Sequence, residues 1–206
     1  MFAERAAWDF VRREQPLFEL ATINCTYTFG PLQRQLRRFG SLGSVNASNQ
    51  RIRDLVLGRM KGGLPPTAPV FTWVDVRDVA LAHVRAMTVP EAGGRRFYIV
   101  GGYFSNKRLA DIIRNARPAL VAGLPPVDSA DDLPADVYQF DNRRSREVLG
   151  IQYMSLERSV LDTVDSVLAV AAAEPSTDDG GTGQQHGNHQ PIPTRLISLH
   201  SGYAQL

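Results

Sequence analysis

Residues Pro69–Met87 read PVFTWVDVRDVALAHVRAM, and this stretch decides the fold class. Val70 to Val74 is a run rich in β-branched and aromatic side chains, the composition of a short strand. Directly after it, Val79, Ala82, His83 and Ala86 recur at three- and four-residue steps, the period of a helix. Asp75 or Asp78 would start that helix by accepting its free N–H groups. A strand that runs straight into a helix is the repeating unit of an α/β protein.

The same alternation continues on both sides. RRFYIVGG, residues 95–102, predicts a second short strand ending in a glycine turn. SNKRLADIIRNARP, residues 105–118, predicts a helix with Ser105 as its cap and Pro118 just past its end. Upstream, LFELATIN (17–24) alternates and then runs apolar, which predicts a buried strand, and TFGP (28–31) predicts the turn that closes it. VNASNQRIRDLVLGRMKGG (45–63) predicts a helix started by Asn46 or Ser48 and stopped by Gly62 and Gly63. At the start of the chain, Glu4, Arg5, Asp9, Arg12 and Arg13 alternate with Phe2, Ala6, Phe10 and Val11 in an amphipathic helix closed by Pro16. No Ser, Thr, Asp or Asn precedes its first turn, so this helix reads as one cut at its beginning.

Residues 119–140, rich in Pro, Asp and Ala, predict a surface excursion. FDNRRSREVLGI (140–151) predicts a short helix ending at Gly150, and SLERSVLDTVDSVLAVAA (155–172) a long last helix with Leu156, Val160, Val164 and Val167 on one stripe. The chain then changes character: residues 174–206 are rich in Gly, Pro, Gln, Ser and Thr without periodicity, so we expect an ordered domain over 1–173 and a disordered tail over 174–206.

Twenty-three Lys and Arg against 21 Asp and Glu give a net charge of +2. That balance argues against nucleic acid or an acidic membrane as the main partner. The basic runs RQLRR (34–38) and NRRSR (142–146) read as solvated faces. One cysteine, Cys25, excludes an intramolecular disulfide and a multi-cysteine metal site, and fits a reducing compartment such as the cytoplasm. No segment reaches the ~20 apolar residues that span a bilayer, and the first residues lack the apolar run of a signal peptide. Of the histidines, His83 reads as a polar core or surface residue, while His186 and His189 lie in the tail without a third ligand. Cys25 has no neighbouring base in the sequence, and a strand cysteine of that kind is inert. The residues alone therefore indicate an α/β domain without a metal centre.

Six segments in order carry a resemblance: FAERAAWDFV, TINCTYTFGP, SVNASN, FTWVDVRDVALAHVRAM, GGRRFYIVGGYFSN and NRRSREVLG. Together they resemble the second half of the extended short-chain dehydrogenases/reductases, also called NAD-dependent epimerase/dehydratase-like proteins. Within that family they are most similar to the fungal NADPH-dependent methylglyoxal, aldehyde and ketone reductases and the dihydroflavonol reductases. The resemblance implies an incomplete Rossmann-like α/β fold, comprising the C-terminal strands and helices of the sheet together with a substrate lobe. It also implies NADPH as cofactor and a small-molecule aldehyde or ketone as substrate.

In such reductases a glycine-rich turn and a helix N-terminus hold the cofactor pyrophosphate, and a Tyr followed four residues later by a Lys protonates the carbonyl oxygen. The resemblance places that Lys immediately before Met1, so neither the glycine-rich loop nor the catalytic pair is expected in this chain. GGLPPTAP and GGYFSN lack the fingerprint spacing and read as a helix stop and a strand turn. What remains is downstream. The resemblance puts Thr28 beside the nicotinamide and Ser48 at the cofactor phosphate or ribose, with Asn46 as neighbour; Ser48 would serve equally as a helix cap. Cys25 stands where the family usually has Pro, and Thr28 where it often has a small aliphatic residue. Leu32 to Gly43 would form part of the substrate mouth, and Phe29, Phe71 and Trp73 are candidate apolar walls of the pocket or core residues. WVDVRDVA is assigned no catalytic step: Asp78 would cap the helix while Asp75 and Arg77 fix the turn before it. The alternative to a reductase is a non-catalytic shortened paralogue that binds a full-length reductase or another partner, or a gene fragment without function of its own.

Overall fold

The computed structural model describes residues 2–33 and 42–173. The expected disordered tail with His186 and His189, the RQLRR run, and most of the Leu32–Gly43 segment lie outside the described residues.

The fold is α/β with parallel strand pairs. Helix α1 (Phe2–Glu14) leads to strands β1 (Thr22–Cys25) and β2 (Tyr27–Phe29), which are separated only by Thr26. Then follow α2 (Ala47–Val56), β3 (Thr72–Asp75), α3 (Val76–Thr88), β4 (Arg96–Ile99), β5 (Gly102–Tyr103), α4 (Asn106–Ala116), the short α5 (Arg143–Glu147) and the long α6 (Leu156–Ala173). β1 pairs in parallel with β4, Thr22 facing Arg96 and Cys25 facing Ile99. β2 pairs in parallel with β3, Tyr27 facing Trp73 and Phe29 facing Asp75, and β5 closes this second sheet antiparallel to β3. A parallel pair needs a crossover connection, and α2 provides the one between β2 and β3.

Two apolar clusters flank the strands. The larger gathers Phe29 and Trp73 from the sheet, Ile52 and Leu55 from α2, Phe104, Leu109 and Ile113 around α4, and Val160, Val164 and Val167 from α6. The smaller joins Val74, Ala82, Phe97 and Ile99 to Leu149 and Ile151. The α6 stripe lies where its period places it, but three of its seven buried residues are small and polar: Ser159, Thr163 and Ser166. Two of these side chains satisfy backbone that the sheet leaves unpaired. Thr163 Oγ1 accepts from the Gly30 N–H at 3.0 Å and Ser166 Oγ from the Leu32 N–H at 3.0 Å. Buried amides need such partners, and the helix supplies them as β2 ends. Gly30 has φ +133°, and a Cβ there would meet Val76 Cγ1 at 2.6 Å, so only glycine fits the turn.

Several expectations shift. Leu17 and Phe18 are exposed, and the first strand begins at Thr22 with half-buried residues. The alternation over 17–20 is not that of a strand. The α2 helix ends at Val56 rather than at the glycine pair, because Leu57 already closes it and Gly58 turns with φ +71°. Ser105 caps α4 as expected, its Oγ accepting from the Arg108 N–H at 3.1 Å. Asp75 caps α3, its Oδ1 accepting from the Arg77 N–H at 2.8 Å. Asp78, expected as the cap, lies buried within the first turn and accepts from the Met154 N–H at 3.0 Å instead.

Candidate functional site

The C-terminal end of β2 and the first turn of α2 bring together the residues assigned to the cofactor. The Thr28 N–H donates to Ser48 Oγ at 3.2 Å, and Asn46 Nδ2 donates to the Thr28 carbonyl at 3.4 Å. Thr28 Oγ1 donates to the Thr26 carbonyl at 3.0 Å. Both Thr28 and Ser48 are half-buried. Asn46 occupies the N-cap position of α2 but makes no capping bond, since its amide is turned toward Thr28. Ser48 is inside the helix and therefore is not its cap. As an acceptor from Thr28 it keeps its own O–H to donate, so this corner offers a neutral hydroxyl donor at the end of a parallel strand. In open α/β sheets that end is where ligands sit.

One turn further along α2, Arg51 ties the site to the rest of the molecule. Its guanidinium lies 5.0 Å over the Tyr27 ring and donates to Tyr27 Oη at 3.2 Å, Asn106 Oδ1 at 3.0 Å and the Thr67 carbonyl at 3.3 Å. Asn106 in turn donates its N–H to Thr67 Oγ1 at 2.9 Å and its side-chain amide to the Pro65 carbonyl at 2.8 Å. Asp132 completes the knot by accepting from the Thr67 N–H at 2.6 Å and from Thr67 Oγ1 at 2.7 Å. The sequence reading singled out none of these residues. A spacing of three from Ser48 places Arg51 near the same end of the helix, the one signal that points to it.

At the end of β3, Arg77 grips Asp75 with Nε to Oδ1 at 2.8 Å and a second nitrogen to Oδ2 at 2.9 Å, and reaches Asp162 of α6 at 2.6 Å. Burial pushes the Asp75 carboxyl up, but the Arg77 hydrogen bonds outweigh it and hold the group below its usual range. Asp78 moves the other way: burial raises it, and the neighbouring Asp75 charge adds to the rise against the Met154 N–H. The local role expected for Asp75 and Arg77 is the one observed, extended by the bond to Asp162.

The apolar candidates are placed as follows. Phe29 and Trp73 are buried in the larger core cluster, their rings 6.2 Å apart and stacked, and Phe104 meets Phe29 edge-on at 5.0 Å. Phe71 is buried beside them in sequence, its N–H donating to Tyr138 Oη at 2.9 Å. Cys25 is a free, half-buried thiol. His83 is exposed, with Nδ1 2.8 Å from the Val79 carbonyl. Among the described residues no group of three or more His, Cys, Asp or Glu is arranged to hold a metal ion, and no helix is long and apolar enough to cross a membrane.

A Tyr-x-x-x-Lys spacing does occur, at Tyr103 and Lys107, and the sequence reading passed it over. The structure takes the two apart functionally. Tyr103 is on β5 and donates its hydroxyl to the Tyr138 carbonyl at 2.9 Å, while Lys107 is on α4 and holds both carboxylate oxygens of Asp111 at 2.7 and 2.6 Å. Residues four apart stack as neighbours when both lie on one helix, and these two lie on different elements.

No protein-family model matches the chain. It is 50% identical over 171 residues to the ketoreductase azaE of Aspergillus niger, covering 83% of this chain and 50% of that protein. It is 33% identical over 169 residues to a putative NADPH-dependent methylglyoxal reductase, GRP2, of Candida albicans, covering 81% and 48%. Among solved structures it is similar to Gre2 of Candida albicans in complex with NADPH, with a TM-score of 0.72 and 35% identity over 82% of this chain and 49% of that one. The yeast methylglyoxal/isovaleraldehyde reductase Gre2 with NADPH matches at a TM-score of 0.71 and 28% identity, over 83% and 50%. A UDP-glucose 4-epimerase of Thermotoga maritima, at 18% identity and a TM-score of 0.57, shares the fold alone. The chain spans about half the length of the relatives it matches.

Proposed function

We propose that this chain, a relative of the fungal NADPH-dependent ketoreductases and methylglyoxal reductases of the extended short-chain dehydrogenase/reductase type, forms the C-terminal half of a reductase of small aldehydes and ketones. The observation that carries this reading is the 50% identity to a ketoreductase over 83% of the chain. The convergence of Thr28, Asn46 and Ser48 at the end of a parallel strand supports it.

The residues fit part of a dinucleotide. Ser48 and Thr28 would hold its nicotinamide ribose side, Ser48 through its free hydroxyl proton and Thr28 as the wall that Asn46 and Ser48 keep in place. When bound, NADPH supplies the hydride that goes to the carbonyl carbon. Thr28 and Ser48 carry no charge and have ordinary hydroxyls, so they position and do not transfer protons. Tyr103 and Lys107, each committed to another partner, do not supply the missing acid. In this reading the domain over 1–173 is the working part, and the proton donor and pyrophosphate loop come from a second half.

The test compares two proteins. The chain alone, with NADPH and methylglyoxal, oxidises the cofactor at the background rate. The chain fused behind the half of Candida albicans Gre2 that it does not match consumes NADPH, and Ser48→Ala in that fusion raises KM for NADPH. Turnover by the chain alone, or a folded fusion that does not bind NADPH, refutes the proposal.

A further inference from the structure

A cleft of about 380 Å³ opens at the beginning of the β1–β4 pair, the end of the strands remote from Thr28 and Ser48, and is lined by Trp8, Gly94, Arg95, Arg96 and Arg144. Three guanidinium groups and one indole line this shallow, solvent-open depression. Two of the arginines are held in place. Arg96 donates Nε to Glu4 Oε1 at 2.8 Å, and Arg144 donates one terminal nitrogen to the Arg96 carbonyl at 3.0 Å. Their remaining N–H donors are thus oriented before any ligand arrives, which lowers the entropy lost on binding. Arg95 is exposed and forms no ion pair among the described residues. One acid is bonded within the cleft: Glu4 forms an ion pair with Arg96 at 2.8 Å, and Arg95 and Arg144 are the cleft cations without an ion pair among the described residues. Glu4 also accepts from Thr22 Oγ1 at 2.9 Å and Asn24 Nδ2 at 3.3 Å, and the Glu19 side chain lies against Gly93, next to the cleft floor at Gly94. Gly94 keeps the floor open: its φ is +68° and nothing stands within 4 Å of where a Cβ would be.

We propose that this cleft binds an aromatic phosphate monoester of nucleotide size, its phosphate held by Arg95, Arg96 and Arg144 and its ring against Trp8. Guanidinium forks match phosphate oxygens in pairs, and an indole face is the side chain best suited to a flat ring beside cations. The site is separate from the cofactor corner and does not depend on the reductase reading.

The experiment is a titration of the full chain with AMP, followed by tryptophan fluorescence. Trp73 is buried and contributes a constant signal. The expected result is a saturable change with Kd below about 1 mM, weakened by added salt. Adenosine gives none, and inorganic phosphate binds about tenfold more weakly, a difference of about 1.4 kcal/mol. The exposed pair Arg95→Ala and Arg144→Ala together loses at least about tenfold in AMP affinity with an unchanged melting temperature. Trp8→Phe abolishes the fluorescence change while calorimetry still detects weakened AMP binding. A response to adenosine equal to that for AMP, an unchanged affinity in the double variant, or no saturable binding overturns the proposal.

Discussion

Phe29→Ala separates a core residue from a pocket wall. The Phe29 side chain is fully buried, meets the Phe104 ring edge-on at 5.0 Å and an interplanar angle of 87°, and stacks with Trp73 at 6.2 Å and 22°. Truncating a buried phenylalanine to alanine costs about 3–5 kcal/mol, from lost transfer energy and the cavity left behind. The ring pairs, worth about 0.5–1.5 kcal/mol each beyond their area, put this site in the middle or upper part of that range, near 4 kcal/mol. For a domain of this size each kcal/mol lowers the melting temperature by about 2–4 °C, so the variant should melt about 8–16 °C below the parent. Urea unfolding at constant slope would give the free energy directly. Phe29→Leu, which keeps a branched apolar group, should cost only about 1–2 kcal/mol. A residue lining an open cleft behaves differently: its truncation costs under about 1 kcal/mol and shows up in ligand binding. A loss below that limit for Phe29→Ala refutes the core assignment and returns Phe29 to the pocket.

The two aspartates at the start of α3 should respond oppositely to pH. Asp75, held below the usual carboxylate range, stabilises the fold above its unfolded pKa, and that contribution is lost as pH falls through the folded value; Asp75→Asn should therefore cost about 1–3 kcal/mol at neutral pH and nothing in acid. Asp78, raised by burial, binds its proton more tightly when folded, so stability falls as pH rises from 3.8 through the folded value; Asp78→Asn should be neutral or stabilising at pH 7 in chemical unfolding. Asp132→Ala leaves the buried Thr67 N–H and hydroxyl without their acceptor and should cost about 1–3 kcal/mol, with faster proteolysis of the 119–142 segment as a second readout. Ser105→Ala removes the α4 cap and should cost about 1 kcal/mol in the same unfolding assay.

What was legible in the sequence was local. The strand-to-helix switch at 69–87 and the Ser105 cap depend on residues within four positions of each other; the cap and the helix lie as read, and the strand runs over Thr72–Asp75 rather than from Val70. The partners that decide the remaining roles are distant. Asp78 caps nothing because its acceptor capacity goes to Met154, 76 residues on, and burial of Gly30 and Leu32 amides is made possible by hydroxyls of α6, 133 and 134 residues away. Leu17 and Phe18 misled for a different reason: alternation predicts a strand only where a neighbouring strand is present to pair with it, and β4 reaches back along β1 only as far as Thr22. Of the site, the resemblance singles out Thr28 and Ser48 one by one, and their hydrogen bond to each other is a finding of the structure. Arg51 was not singled out, since its acceptors come from three separate segments that no local pattern joins.

Tyr103 and Lys107 show why a motif must be read with its backbone. On a helix, residues four apart stand one above the other at about 6 Å, close enough for a lysine to depress the pKa of a tyrosine and ready it to give up a proton. Here a strand end, a turn and a helix start separate the same two residue types, and each finds a different partner: Tyr138 for the hydroxyl, Asp111 for the ammonium. A lysine neutralised by a carboxylate one turn away has little field left for a tyrosine on another element. The Tyr-x-x-x-Lys spacing therefore identifies no catalytic acid at Tyr103 and Lys107, whereas Thr28 and Ser48, twenty residues apart, are joined by the hydrogen bond from the Thr28 N–H to Ser48 Oγ.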